Sequence, residues 1–461
     1  MRWEELLSPK RAAGWNDKEE CSSSDLRSEF EKDYHRIIGS ASFRRLQDKT
    51  QVFPLDKSDF IRTRLTHSLE VASFAKSLGQ NVGERILALD RERHFTVRMK
   101  EDVCHILECA GLIHDIGNPP FGHFGEIAIR EWFEDNLSSL TLGKKSASEI
   151  LSGQMKEDLY HFEGNAQALR LVGKLHFLAD EHGMNLTYAL LSSMIKYPVN
   201  SLETKGGKIG YYYADKEIFD DVSRTTGTNG CRHPLSYLLE AADDIAYKTA
   251  DIEDAFVKGF IGYQEFLDEL RAIHTDRDTW NADEILEILL SKGKELGVES
   301  PQEYAVKNWT VRVQGYLIQE AAKTFMAHYE EIMAGIYKGN LIEDSSCAKL
   351  MGLLGDVADR KVFCSSFIYR MEATESAVLT FLMNAFVRAA VKYDSKERMS
   401  TVEKRMVSLI SENYKNAYHR QAKGKEEDEK LYLRILLATD YICGMTDSYA
   451  KRLYQELNAM N

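Results

Sequence analysis

The sequence predicts an all-α protein: a helical bundle with further helices appended and at most one small β-hairpin. Three observations predict it. Apolar residues recur at three- and four-residue spacing from Leu65 onward. Only 7 prolines occur in 461 residues, which favours helices over loop-rich β structure. Only one stretch, Gly206–Ala214, reads as a hairpin, with Gly206-Gly207 followed by Ile209 and three tyrosines.

Taken in order, Leu65, Leu69, Ala72, Ala75, Leu78 and Val82 form one stripe of an amphipathic helix. A second helix carries Val103, Ile106, Leu107, Ala110 and Ile113 and stops at Gly117-Asn118-Pro119-Pro120. A third starts near Gly125 and runs through Ile127, Ile129, Trp132 and Phe133. Others cover Asn165–Leu178, Leu186–Ile195 and Pro234–Lys258, the last opened by Pro234 at a helix-start position. Residues 262–340 read as charged amphipathic helix without a motif. Lys423–Lys430 reads as a charge-dense loop or frayed end. No repeat or linker divides the chain, so residues 1–461 read as one unit, with a core over about 60–260 and a helical region over about 261–461.

The 7 cysteines (Cys21, Cys104, Cys109, Cys231, Cys347, Cys364, Cys443) are odd in number and form no CxxC pair. They read as reduced, buried thiols. No apolar run follows the N-terminus and none approaches the ~20 residues of a membrane span, so a cytoplasmic protein is expected. The net charge of -13 makes a poor general binder of polyanions. Positive charge gathers locally, however. Between Ser40 and Arg64 lie Arg44, Arg45, Lys49, Lys57, Arg62 and Arg64 against Asp48, Asp56 and Asp59. Such a stretch serves either a phosphate-rich ligand or a solvated face.

Four residues carry candidate metal chemistry: His67 at a helix start, adjacent His114 and Asp115 near a helix end, and Asp243 inside EAADDIAY. Imidazole with carboxylate suits a borderline divalent cation such as Mn²⁺, Fe²⁺, Co²⁺ or Zn²⁺, and carboxylate tolerates Mg²⁺. Successive helical residues point about 100° apart, so His114 and Asp115 reach one ion only where the helix ends. A lone His on an amphipathic helix is more often a cap or core group. The surroundings decide otherwise.

Those surroundings are DYHRIIGSASFRRLQDKTQVFPL (33–55), RTRLTHSLEV (62–71), GLIHDIGNPPFGHFGE (111–126), HFEGNAQALR (161–170), IKYP (195–198), EAADDIAYKTADIEDA (240–255) and ATDYICGMTDSYA (438–450). Together they resemble the bacterial deoxyguanosine triphosphate triphosphohydrolases of the HD-domain superfamily. The resemblance spans nearly the whole chain and is weak only over about 135–158 and 262–340.

The resemblance implies hydrolysis of deoxynucleoside triphosphates, dGTP favoured, at the α-phosphorus, to deoxynucleoside and tripolyphosphate. It implies one divalent metal per subunit (Mn²⁺, Mg²⁺, Co²⁺ or Fe²⁺) on His67, His114, Asp115 and Asp243. It makes His123 and Glu126 a catalytic dyad. Their i, i+3 spacing also suits a carboxylate that orients an imidazole for acid–base work. Asn118 then positions phosphate or water, although its place beside Gly117 equally fits a helix C-cap.

Asp243, Tyr247 and Asp251 are spaced i, i+4, i+8 along one helix stripe. By resemblance, Tyr247 and Asp251 contact the deoxyribose, Tyr247 excluding a 2′-hydroxyl. Otherwise Tyr247 is a core aromatic and Asp251 a solvated acid. Arg64 and the Lys196-Tyr197 pair match phosphate-binding positions, with Lys208 and Lys216 weaker candidates. Gln51 matches a position near sugar and base, and Tyr369 and Glu372 fall in a loosely matched base region. Relatives of this kind form homo-oligomers, tetramers or hexamers.

Two other readings use the same residues: an HD-type nucleotide monophosphatase or phosphodiesterase, and a nucleic-acid-binding regulator with a structural metal. The acidic charge leaves room for no more than weak single-stranded DNA binding.

Overall fold

The computed structural model describes residues 1–12, 25–53, 61–89, 92–176, 182–274 and 280–459. Helices follow one another throughout, as the periodicity predicts. The only sheet among the described residues pairs β1 (Thr141–Leu142) with β2 (Lys145–Ser146), Thr141 opposite Ser146. No helix among the described residues is long and apolar enough to cross a membrane.

The hairpin therefore lies away from Gly206–Ala214. That stretch is irregular and enters a 3₁₀ turn at Tyr213–Asp215. Its tyrosines do not alternate across a ladder. Tyr211 stacks on Phe219 at 4.0 Å, and the buried Tyr212 hydroxyl donates to the Glu163 carbonyl at 3.2 Å. Burial of successive residues is a core-filling pattern that a strand with one wet face cannot give.

Two helices carry the paired histidines. The His67 helix runs Arg64–Leu87, and Thr63 caps it by accepting from the Thr66 amide. Such a cap is worth about 1 kcal/mol. Its buried stripe, Val71, Ala72, Ala75, Leu78 and Val82, packs against the helix Val97–Ile113. The two backbones nearly touch: a Cβ on Gly111 would lie 2.5 Å from Ala72 Cα. The Asp243 helix, Pro234–Val257, packs across both, and the long helix Pro301–Ala327 covers the Asp243 and His67 helices from outside.

Four other boundaries differ from expectation. The third helix begins at Gly122, one turn before Gly125. The Asn165 helix spans Gly164–Arg170 and continues as a π turn, Leu171–Leu175, and its expected end at Leu178 lies outside the described residues. Leu186–Ile195 contracts to Tyr188–Met194. The charged run Lys423–Lys430 contains a helix start, Glu427–Cys443, with Glu427, Asp428 and Glu429 in its first turn. Acidic residues there meet the positive end of the helix dipole, so charge density marked a beginning and not a frayed end. Residues 262–340 resolve into Tyr263–Ala272, Ala282–Glu295, Pro301–Ala327 and Tyr329–Met333.

The helix Ser366–Val391 lies across Glu427–Cys443 and Gly122–Asn136, bringing the C-terminal region against the residues that follow His114-Asp115. Cys104, Cys109, Cys347 and Cys443 are buried free thiols, whereas Cys364 is exposed. Cys21 lies outside the described residues.

Candidate active site

The close crossing at Gly111 brings the His67 and His114 rings to 5.2 Å, edge to face. His114 follows the last helical residue, where Nδ1 donates to the Gly111 carbonyl at 2.8 Å. That bond fixes the tautomer and leaves a lone pair on Nε2. This lone pair faces two anions: Asp243 Oδ1 at 3.4 Å and Asp115 Oδ2 at 3.5 Å. His67 Nε2 meets the same Asp243 Oδ1 at 3.1 Å. The His114 Nε2 atom is buried without a hydrogen-bond partner.

A lone pair against two carboxylates is repulsive unless a cation lies between them. Burial opposes charge on His114, but Asp115 and Asp243 outweigh it and hold the imidazole's pKa well above its usual range. In return, and against their own burial, Asp115 falls below the carboxylate range through Arg64 and His114, and Asp243 does so through His114 and His67. Nitrogen and carboxylate donors in this arrangement suit a borderline divalent cation.

Among the described residues, His67, His114 and Asp243 form one group whose ligand atoms lie within 4.8 Å of one another. Asp115 adjoins it, but its Oδ2 also carries an ion pair with the buried Arg64. Its other oxygen accepts from Asn118 Nδ2 at 2.9 Å. Asn118 thus braces Asp115 with its side chain, more than a C-cap requires.

The His123–Glu126 pair stands at the rim. His123 Nδ1 and Glu126 Oε2 are 3.1 Å apart, with the imidazole 77% exposed and the carboxylate 1% exposed. Glu126 Oε1 accepts from the Gly164 amide at 2.8 Å. A Cβ at Gly164 would meet Asn118 Oδ1 at 2.1 Å and Glu126 Oε1 at 2.6 Å, so any side chain there would displace both groups. The hydrogen bond to Glu126 raises the His123 pKa. Burial works to raise Glu126, but His123 and Lys208 bring its pKa below the usual value.

Two cavities meet at the cluster and share Asp115, His123, Lys196 and Asp243. The larger, about 330 Å³, is bounded by Gln51, Arg64, Tyr247, Phe363, Glu372 and Glu375. The smaller, about 110 Å³, is bounded by Asn118, Glu126, Glu163, Tyr197 and Lys208.

Of the other sequence-predicted residues, Gln51, Arg64, Lys196, Tyr197 and Tyr247 reach one or both cavities. Lys196 Nζ sits 3.0 Å from Glu240 and 5.5 Å from the Tyr197 ring centre. Tyr247 stacks on Phe363. Asp251 lies behind it, 1% exposed, hydrogen-bonded to Tyr247 and with Oδ2 unpartnered. Burial pushes its pKa well above the carboxylate range. Tyr369 is 55% exposed and borders neither cavity, and neither does Lys216, which pairs with Asp220. Glu372 does border the larger one.

The basic stretch is neither a solvated face nor a phosphate patch as a whole. Arg62 is held by Glu70, Glu253 and Asp254, and Lys49 and Arg64 are buried. Lys57, Asp56 and Asp59 lie outside the described residues.

Sequence reasoning missed Glu375, Phe363 and Glu163. Glu375 is 2% exposed, its Oε1 has no partner, and burial, with Asp447 and Glu372 nearby, pushes its pKa up to about 8. Its signal was present: it interrupts the buried stripe Ile368, Leu379, Leu382, Phe386 of its helix.

Residues 64–191 match the HD domain. The whole chain aligns with a deoxyguanosinetriphosphate triphosphohydrolase-like protein of Listeria monocytogenes at 46% identity, covering 100% of both proteins. A like-named protein of Synechocystis is 34% identical, again over 100% of both. A deoxyguanosinetriphosphate triphosphohydrolase of Yersinia enterocolitica is 32% identical over 93% of this chain and 94% of that protein. The chain belongs to this HD-domain family. Of the four candidate metal ligands, His67, His114 and Asp115 fall inside the matched segment and Asp243 beyond it.

Proposed function

We propose that the protein hydrolyses deoxynucleoside triphosphates, dGTP foremost, at the α-phosphorus, releasing deoxynucleoside and tripolyphosphate. One observation carries the reading: the His67–His114–Asp243 cluster lies where two differently furnished cavities meet, with the His123–Glu126 pair at their shared rim. The family relationship supports the substrate class.

A divalent cation held by His67, His114, Asp243 and Asp115 would polarise a phosphate oxygen and lower the pKa of a bound water. The chain's own groups do the rest. Lys196, Tyr197 and Lys208 give the smaller cavity its phosphate-binding character, and Arg64 adds positive charge beside Asp115. Glu126 orients His123 and favours its protonated form, which suits it to deliver a proton to the leaving oxygen. Asn118 keeps Asp115 in place.

The nucleoside occupies the larger cavity, whose volume lies at the lower end of small-molecule sites. Tyr247 borders the sugar, leaving no room for a 2′-hydroxyl, and Asp251 behind it accepts from the 3′-hydroxyl. Phe363 offers a stacking face. Gln51 Oε1 and Glu375 Oε1 are acceptors without partners, a match for the adjacent N1–H and N2–H donors of guanine. The whole chain acts as one unit, with the HD core over about 60–260 bearing the cluster and residues 261–461 closing the base side.

The test is incubation with dGTP and Mn²⁺, with product analysis by ion-exchange chromatography. Deoxyguanosine and tripolyphosphate are expected in equal amounts. Release of inorganic phosphate or pyrophosphate instead, or turnover of dGMP but not dGTP, would replace this reading with that of a monophosphatase or another phosphohydrolase.

A further inference from the structure

The turn that follows His114-Asp115 has an unusual difficulty. Its sequence, Asn118-Pro119-Pro120-Phe121, contains two residues with no amide hydrogen. Phe121 then adopts φ 67°, a left-handed conformation that a bulky side chain takes only under constraint. Within the turn the Asn118 amide donates to the Asp115 carbonyl and the Gly122 amide to the Pro119 carbonyl, each at 3.2 Å, while the Asn118 carbonyl and the Phe121 amide find their partners elsewhere.

The partners come from two distant segments. Lys49 Nζ donates to the Asn118 carbonyl at 2.5 Å and to the Cys443 carbonyl at 2.8 Å. At the other end, Asp447 Oδ1 accepts from the Phe121 amide at 2.9 Å, and its Oδ2 accepts from the Thr50 amide at 2.7 Å. Lys49 also reaches the other histidine-bearing element, because its carbonyl accepts from the Arg64 amide at 3.0 Å. Lys49 is 4% exposed and has no carboxylate within 4 Å among the described residues. Burying an ammonium against carbonyls alone is costly, and a hydrophobic side chain there would cost less.

We propose that Lys49 is a positioning residue for the metal centre: its buried ammonium pins the Asn118 carbonyl to the end of the Glu427–Cys443 helix. Asn118 is thereby set to brace Asp115, while the Lys49 backbone seats the start of the His67 helix. Lys49 touches neither substrate nor metal ligand. It joins the two elements that supply His67 and His114-Asp115 to the C-terminal region. The inference rests on the metal reading above.

The test measures Mn²⁺ binding to the metal-free protein by calorimetry, without nucleotide, alongside dGTP kinetics. The variants are Lys49→Met, Asn118→Ala and the double variant, with circular dichroism and melting to establish folding. Lys49→Met is expected to bind Mn²⁺ roughly 10- to 100-fold more weakly, as loss of an outer brace does. It should lower kcat while KM changes little. The double variant should be no weaker than the worse single one, because both act through Asp115. Lys49→Gln keeps a donor without the charge, should fall between parent and Lys49→Met, and carries the test if Lys49→Met does not fold. Parental Mn²⁺ affinity in a folded Lys49 variant, or losses that multiply in the double variant, would overturn the proposal. A parent protein that binds no Mn²⁺ would instead overturn the metal reading, and the proposal with it.

Discussion

The two cavities that meet at the His67–His114–Asp243 cluster are furnished differently away from the residues they share. In the smaller one the charges are matched: Lys196 to Glu240, Lys208 to Glu163, and Glu126 to His123 and the Gly164 amide. In the larger one, Gln51 Oε1 and Glu375 Oε1 are buried without partners, in a lining that also holds Phe363 and Tyr247. A paired site holds its geometry before anything binds, as chemistry requires. An unpaired site gains selectivity from the ligand that satisfies it and rejects one that does not. On the proposed function, chemistry and choice are segregated to the two sides of one cluster.

The sharpest way to break this picture is at the cluster itself. His114→Ala should lose bound Mn²⁺ and activity together, turnover falling to background, as metal analysis beside a tripolyphosphate assay will tell. Because the parent imidazole keeps its proton well above the usual range, Mn²⁺ must displace that proton. Parental affinity should therefore tighten as pH rises. A His114→Ala protein with full metal content would remove that residue from the ligand set.

Next in size is the rim. His123→Ala should leave metal content unchanged and lower turnover by roughly 10²–10⁴-fold. Glu126→Ala should act in the same direction but less, because it orients the imidazole without replacing it. Near-parental turnover in both would make the pair structural.

The sugar side should respond more modestly and differently. Asp251→Ala should weaken every deoxynucleotide by about 0.5–1.5 kcal/mol, or roughly two- to tenfold, the worth of a hydrogen bond to a neutral acceptor, as measured by kcat/KM. Tyr247→Ala should instead admit GTP. If it stays active on dGTP yet excludes GTP as before, the sugar lies elsewhere.

The smallest effect belongs to Glu375. Its folded pKa of about 8 lies above the model-peptide value of 4.5, so the folded state holds the proton more tightly. Stability contributed by that proton is full below about pH 4.5 and is lost as pH rises toward about 8. Glu375→Gln should melt a few degrees above the parent near pH 8 and level with it near pH 5. It should also blunt the preference for dGTP over dATP. An equal melting gap at both pH values would mean that Glu375 is not the group titrating.

The chemistry side was largely legible in the chain, and the selective side was not. The candidate metal and dyad residues sit in short motifs where type, order and Gly-Pro stops constrain one another, and the fold brings them together around two adjoining cavities. Asp115 was legible as a neighbour but not as the partner of Arg64, because nothing local announces that ion pair. Glu375 was hidden by the reverse problem. It occupies a core position of a long amphipathic helix, and only its charge, out of place on an apolar stripe, gives it away. Gly206–Ala214 misled because consecutive tyrosines have strand propensity, and packing overrode it. The base region stayed loose because Tyr369 and Glu372, one turn apart on the same helix, part at the cavity's edge: Glu372 borders it and Tyr369 points to solvent.

The contact of Gly111 with Ala72 makes one glycine the spacer of the metal centre. A single hydrogen at that position lets two helices cross with their backbones in contact, and the imidazoles reach a common point only because they do. A methyl group there adds no charge and removes no ligand. It would act as a wedge, parting the His67 and His114 helices by the thickness of a carbon atom. Coordination bonds tolerate only tenths of an ångström, so this inert addition would rival the loss of a ligand. The distance between two donors is in this sense encoded by the absence of a side chain, three residues before the motif that bears the family's name.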